Sequence, residues 1–479
     1  MFKMKSLAFL CTAMMSQTSF AKDIVLYDIT NKESFTVQAE HPAFVETESV
    51  KQLFDSSIHS KFLSDKSKAW VQVDFDQAFK IHQYSLTSAG DAPARDPKHW
   101  QVKGSLDGKS WTLLDTQTEQ SFDTRAQTKT YTLTKSKEVK HVRFELKQQG
   151  TTQWGDRYLQ VADIGLFAAT DLPLASFDLD KRIIRLNEVI TLTNTSENEP
   201  DRVEWIIPGA KIKRDGQNAH VSFDKPGSYS VTLKTNNSAG SDVLTQKNII
   251  KVMDVNRPWA GLQLPKVVVK LEDTESAGAK RLIKLLPNIE QAINEVTRDL
   301  VPMLYNNFTE VPEFEQVTFR LKWMDTLAYR AGDYSNMEIA FSSKYITEKL
   351  ADKPDEQVTY ELLGVLWHEL THGYQLFPQS ATGTPEETHA FIEGVADLIR
   401  INAGFHKTRS PKPSETWLGG YTNTGFFLSW LSKRYEAFEH QFNATATELP
   451  DWTFAAAIEY VTGEKVEKLW QEYQAELAE

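Results

Sequence analysis

The chain has 479 residues, 41% hydrophobic and 25% charged, the balance of a folded protein of two to four domains rather than of a disordered or fibrous chain. Its 53 basic and 65 acidic residues leave a net charge of −12, which argues against non-specific nucleic-acid binding, and its single cysteine excludes an intrachain disulfide framework. Beyond the N-terminus no stretch approaches the ~18 uninterrupted apolar residues of a membrane span, so a polytopic membrane protein is excluded too.

Lys3 and Lys5, the mostly apolar run of residues 7–15, and Ser19-Phe20-Ala21 predict a secretory signal peptide over residues 1–21. Cys11 lies inside the apolar run and follows Leu10, not the small residue of a lipoprotein cleavage box. Cleavage after Ala21 would remove two lysines and leave 458 residues, without a cysteine, at a charge of about −14. The expected location is outside the cell or in a bacterial periplasm.

Residues 22–172 read as short strands between turns. Trp70-Val71-Gln72-Val73-Asp74-Phe75 and His141-Val142-Arg143-Phe144-Glu145-Leu146 alternate apolar with polar, the pattern of half-buried antiparallel strands. Asp96-Pro97 and Asp107-Gly108 punctuate them as turns. Ala69 to Phe75, then Asp96-Pro97-Lys98-His99-Trp100-Gln101-Val102-Lys103-Gly104-Ser105-Leu106-Asp107-Gly108-Lys109-Ser110-Trp111, then Val142-Arg143-Phe144 together resemble the discoidin (factor 5/8 C-terminal type) family. That resemblance implies a jelly-roll sandwich that binds glycans or surfaces. It also implies a structural Ca²⁺, for which Asp55, Ser60 and Asp163 stand in suitable loops, although loop Asp and Ser are equally ordinary turn formers.

Residues 173–253 form a second strand-rich unit. Ala175-Ser176-Phe177-Asp178, Glu204-Trp205-Ile206-Ile207-Pro208 and Gly227-Ser228-Tyr229-Ser230-Val231-Thr232-Leu233 resemble a PKD-type, immunoglobulin-like sandwich, with Pro226-Gly227 turning into the last hairpin and Tyr229, Val231 and Leu233 facing inward. Trp205 reads as a core residue and the unit as a spacer.

Residues 254–479 change character. Leu282, Leu285, Leu286, Ile289, Ala292, Ile293 and Val296 carry helical spacing, residues 316–321 and 337–341 read as strands, and helices dominate from Glu356 onward, giving an α+β domain. His368-Glu369-Leu370-Thr371-His372 lies on one such helix. Residues four apart are separated by ~400° of rotation and ~6 Å of rise, so both imidazoles face one way and can chelate one Zn²⁺, with Glu369 beside the open coordination position. A second helical segment, Ala390-Phe391-Ile392-Glu393-Gly394-Val395-Ala396-Asp397-Leu398-Ile399, sets two carboxylates four apart among apolar neighbours. Burying them costs several kcal/mol unless partners meet them. A zinc ion would meet Glu393, and a histidine ring N–H would meet Asp397 and fix its tautomer. This His₂Glu pattern resembles the gluzincins. His389, four residues before Glu393, is an alternative ligand with a bland reading as a polar helix-start residue.

Trp367-His368-Glu369-Leu370-Thr371-His372-Gly373-Tyr374-Gln375, then Phe391 to Arg400, Gly420 to Leu428 and Thr462 to Trp470 resemble the plant basic secretory protein family and its bacterial relatives, a metallopeptidase family. Two departures stand out: this chain is acidic, and Thr422-Asn423-Thr424-Gly425 replaces the family's common Asp-Val-Thr-Ala. The resemblance implies a zincin-like domain that hydrolyses peptide bonds with one zinc ion held by His368, His372 and Glu393. Glu369 is then the general base, Asp397 orients a ligand, and Tyr421, preceded by Gly419-Gly420, is a candidate oxyanion donor or equally a packing tyrosine. The expected substrate is a protein or glycoprotein, brought near through the N-terminal module. A non-catalytic adhesin with a metal-containing domain is the competing reading, disfavoured because structural zinc sites close with Cys or His and the mature chain has no cysteine. A hydrolase of a non-peptide bond is the third.

Overall fold

A computed structural model describes residues 24–44, 48–55, 57–58, 60–134, 136–151, 155–332, 336–378, 383–407 and 409–478. The expected signal peptide and Cys11 lie outside the described residues. No helix among the described residues is long and apolar enough to cross a membrane. The described residues divide into two compact units: those up to 176, with 195–204 and 234–243, form the first, and 177–194, 205–233 and those from 244 onward the second.

The first unit is built around one strand of 20 residues, Lys68–Thr87. Its first part pairs antiparallel with Phe35–Ala39 and Glu138–Gln148, and its last part with Thr128–Thr132 and Asp163–Ala169, so one strand serves two groups of partners. The register shifts between Asp74 and Phe79, where the strand changes partners. Val71, Val73 and Phe75 point into a core with Tyr84, Trp100 and Phe144, as the alternation demands. Trp100 donates from Nε1 to the Tyr84 hydroxyl at 2.9 Å, which removes the cost of burying both polar tips. The outward face departs from the simple alternation. Gln72 is buried there beneath Arg143, whose guanidinium lies between the Trp70 and Trp111 rings. The unit is an all-β sandwich of the discoidin-like kind.

In the second unit, residues 177–194 and 205–222 supply a four-stranded sheet in the order Phe177–Leu179, Ile190–Asn194, Asn218–Ser222, Lys211–Asp215. Trp205 is a core residue: it is 5% exposed, stacks edge-on against Phe177 and donates from Nε1 to the Gln217 carbonyl at 3.0 Å. Val231 and Leu233 are buried, whereas Tyr229 stays half-exposed against Phe223 and anchors its hydroxyl on the Lys225 carbonyl.

Residues 264–478 pack helices against a sheet in the order Lys266–Leu271, Gln316–Lys322, Met337–Ser342, Ala328–Gly332. The first two pairings are parallel, and the last is an antiparallel hairpin that leaves Ala328–Gly332 at the edge. The helical spacing of residues 277–305 becomes two helices, Ala277–Leu285 and Ile289–Leu304, because Pro287 cannot continue the first and Asn288 caps the second. Helix Asp355–Tyr374, here the first site helix, is buried on most sides over its C-terminal half, which places it between sheet and helices. Helix Pro385–Asn402, the second site helix, starts from a capping box: the Thr384 side chain accepts from the Glu387 backbone and the Glu387 carboxylate from the Thr384 N–H. Glu387 thus has a specific partner.

Candidate functional site

Helical periodicity and one packing contact assemble the site. The two site helices run antiparallel with a matching face: His372 stands by Glu393, and His368 by both Glu393 and Asp397. His368 Nε2 and His372 Nε2 are 3.1 Å apart, and Glu393 Oε2 lies 3.2 Å from the first and 3.4 Å from the second. Two ligands ~2.0–2.1 Å from one ion at the tetrahedral angle stand ~3.3–3.4 Å apart. The three atoms are therefore spaced like one face of a coordination tetrahedron, and Glu393 Oε2 is buried without a well-formed hydrogen bond. Among the described residues this is the one His/Cys/Asp/Glu group arranged to hold a metal ion. The donor set of two imidazoles and a carboxylate suits zinc with an open fourth position.

Each imidazole is held from behind. Asp397, 2% exposed, accepts from His368 Nδ1 at 2.8 Å, which leaves the Nε2 lone pair facing the cleft. Gln375 follows the first site helix, is 2% exposed, and its amide lies 3.2 Å from His372 Nδ1. Its Oε1 is buried without a partner, and exchanging the two amide ends makes that oxygen the acceptor of the His372 Nδ1–H. Both rings then present Nε2 to the same point. His406, in the loop after the second site helix, is 3% exposed with φ +63°, its Nε2 3.5 Å from Asp397 Oδ1.

Electrostatics follow from burial and these contacts. Burial works against a charged His368, but Asp397 and Glu393 outweigh it and lift the imidazole to about 9. Burial depresses His372. Burial also opposes the Glu393 carboxylate, yet the two imidazoles draw it down to about 2, and Asp397 is lowered through His368 and His406. Glu369, 7% exposed, is pushed by burial up to about 7, against the pull of His368.

A cavity of about 470 Å³ joins these groups; its lining includes the edge strand, Glu369, Tyr421 and three arginines, Arg330, Arg400 and Arg409. Tyr421 opens helix Tyr421–Ser432, and its ring lies nearly parallel to His368 with centroids 6.0 Å apart. It is 52% exposed, and burial with the nearby carboxylates raises its hydroxyl. Its φ of +41° is a conformation that costs a non-glycine residue ~1–3 kcal/mol. Gly420 before it, at φ +65°, holds a backbone conformation that glycine favours, and a Cβ there would lie 2.9 Å from the ring tip of the exposed His389 and 3.6 Å from Glu393 Cβ. That close approach seats the helix start on the metal triad. His389 is exposed and lies outside the triad, edge-on to Tyr421.

The calcium candidates are placed as follows. Ser60 donates to both Asp55 oxygens, at 2.9 and 2.7 Å. Strand Phe62–Ser64 pairs Phe62 with Val161, and continuing that register by two residues puts Ser60 level with Asp163. Trp323, just past strand Gln316–Lys322, is 53% exposed and no part of the core.

Sequence reading missed Gln375 and Arg400. Arg400 alone carried a signal, its place seven residues after Glu393 on one helical face.

Residues 264–473 match the BSP family model, described as peptidase of plants and bacteria, and residues 36–159 match the F5/8 type C domain model. A peptide-N(4)-(N-acetyl-beta-glucosaminyl)asparagine amidase of Arabidopsis thaliana is 49% identical over 61 residues, which are 12% of this chain and only 8% of that protein's length. Similar solved structures include the family 32 carbohydrate-binding module of Clostridium perfringens NanJ in complex with galactose, 13% identical, covering 30% of this chain and 99% of that one, at a TM-score of 0.25. The family 32 module of Streptococcus pneumoniae EndoD is 14% identical, with 29% and 98% coverage and a TM-score of 0.25. The chain carries a BSP peptidase-family domain at residues 264–473 and an F5/8 type C, discoidin domain at residues 36–159.

Proposed function

We propose that the C-terminal domain is a zinc-dependent, zincin-like peptidase and that the discoidin domain docks it on glycans. The observation that carries the reading is the convergence of His368 Nε2, His372 Nε2 and Glu393 Oε2 at tetrahedral spacing beside the buried Glu369. A zinc ion held by these three atoms would supply Lewis-acid polarisation of a carbonyl and bring the pKa of adjacent water from ~15.7 toward ~7. Glu369, raised to about 7 by burial, takes the proton of the attacking water and passes it to the leaving nitrogen. Tyr421 donates its hydroxyl to the oxygen that gains negative charge. Asp397 and Gln375 keep both imidazoles in the tautomer that faces the cleft. The edge strand Ala328–Gly332 borders the cavity and offers its free edge to an extended peptide.

Export guided by residues 1–21, an immunoglobulin-like spacer over residues 173–253, and a structural calcium ion among Asp55, Ser60 and Asp163 complete the reading. The calcium is checked by a melting temperature that rises with Ca²⁺ in the wild type and not in Asp55→Ala. The central test pairs zinc content with hydrolysis of a mixed peptide library by the wild type and Glu369→Gln. Near-stoichiometric zinc in both, with turnover lost only in the variant, supports the mechanism. No turnover in either, with glycan binding intact, favours the adhesin. Release of glycan from an N-glycopeptide without backbone cleavage would move the reaction to the glycosylated asparagine side-chain amide, the bond class named for the Arabidopsis relative.

A further inference from the structure

Beyond the triad, the facing surfaces of the site helices continue as a ladder whose next rung pairs Gly364 with Arg400. A Cβ on Gly364 would meet Arg400 Nε at 2.9 Å and Nη2 at 3.0 Å, so this glycine leaves the slot that the guanidinium fills. The Arg400 side chain is 9% exposed. Its contact with Glu361 Oε2 is long, 3.4 Å, and its Nε has no hydrogen-bond partner among the described residues. A buried guanidinium normally has its fork of donors met by planar acceptors, because an unmet buried charge is costly. Arg400 nevertheless lines the cavity that holds the triad, and Arg330 and Arg409 add positive charge to the same wall. Of the three acidic groups lining that cavity, Glu393 and Asp397 are engaged with the imidazoles, and Glu369 feels the Arg400 charge through space. A guanidinium held in a slot, under-partnered and bordering the space where substrate must lie, has the chemistry of a carboxylate receptor.

Resting on the peptidase reading, we propose that Arg400 is the specificity-determining residue of the cleft and that it selects peptides carrying a carboxylate close to the scissile bond. Arg400 lies seven residues beyond Glu393, roughly 10 Å of helix rise. An extended peptide covers that in about three residues at ~3.3 Å each. The carboxylate belongs to an Asp or Glu side chain within about three positions of the bond, or to the peptide's own C-terminus.

The experiment uses the zinc-loaded full chain and peptides that differ only in Asp against Asn at each of three positions on either side of the bond. Each peptide is made as the free acid and as the C-terminal amide, which separates the two sources of carboxylate. The wild type is expected to prefer one acidic series by about 10- to 100-fold in kcat/KM, mostly through KM. Arg400→Lys is expected to collapse that ratio toward one, as is Gly364→Ala, which keeps the charge but fills the slot. Affinities of the same pairs for Glu369→Gln, measured by calorimetry, give the result without turnover. Cleavage or binding with no acidic preference at any position overturns the proposal and leaves the peptidase reading standing. A lowered melting temperature in Arg400→Lys with the preference intact also overturns it, since the arginine would then only hold the helices together. Preferential binding of acidic peptides that are never cleaved supports the receptor and sinks the peptidase.

Discussion

Two arginines, Arg143 half-buried and Arg400 buried, show how differently the two domains treat charge. In the discoidin domain Arg143 donates to the Gln72 side-chain oxygen from Nε at 2.9 Å and from Nη2 at 2.7 Å, with Trp70 and Trp111 on its two faces at 4.5 and 4.2 Å. Likewise Asp96, 1% exposed, receives both arms of the Arg125 fork. In the peptidase-family domain, Arg400 Nε and Glu393 Oε2 are buried without well-formed hydrogen bonds, and both belong to side chains lining one cleft. The polar groups of Arg143 and Asp96 find their partners inside the sandwich. Arg400 and Glu393 keep donor and acceptor capacity unmet beside a cavity, as groups suited to an ion or a substrate would, at a cost the surrounding core must offset.

The contrast can be broken most directly at the reacting groups. Glu369→Gln should lower turnover by about 10²–10⁴-fold while zinc content and melting temperature hold, as metal analysis and peptide hydrolysis would show. Asp397→Ala should cost about 3–5 kcal/mol, because it leaves His368 and His406 facing a buried hole, and should weaken zinc binding as well; chemical denaturation and chelator competition measure the two effects. If Asp397→Ala unfolds no more easily than the wild type, the cleft's buried groups are not held as tightly as argued. Gln375→Leu keeps the volume and removes the acceptor, so zinc affinity should fall about 10- to 100-fold with little change in folding stability. Arg143→Ala should do the reverse, destabilising the discoidin domain by about 1–2 kcal/mol in calorimetry and leaving peptide hydrolysis untouched.

The smallest effect concerns acid. Burial favours a neutral Asp273, but hydrogen bonds from Ser276 and Ser343 outweigh it and hold the carboxyl at about 2, below its ordinary 3.8. A carboxyl lowered by folding adds stability that is complete above its unfolded value and lost as pH falls through its folded one. The melting-temperature gap between wild type and Asp273→Asn should therefore be steady above pH 3.8 and close as the pH approaches 2. A gap that widened on acidification would place the Asp273 charge in an unfavourable setting.

Much of the candidate site was legible because helix geometry is periodic. Two histidines four apart must share a face, and so must Glu393 and Asp397, so each half of the constellation could be read without coordinates. The strands of the discoidin domain were legible for the same reason, with period two. Gln375 gave no such signal, since it sits past the helix end, where periodicity no longer says which way a side chain points. His406 looked like loop composition, and only its left-handed backbone turns it inward behind Asp397. Pro287 was visible in the sequence, but the spacing of its neighbours masked the break it makes.

What the amino-acid order determined by itself, then, is local: which residues share a helix face or a strand face, which chemistry each face carries, and where prolines and caps interrupt it. What only the tertiary structure decided is the antiparallel meeting of the two site helices, which turns two separate pairs into one ligand triad and leaves Arg400 in the slot beside Gly364. The reason is physical: contacts within a helix follow from a fixed pitch, whereas contacts between helices depend on the volumes of every side chain packed between them, which no short motif encodes.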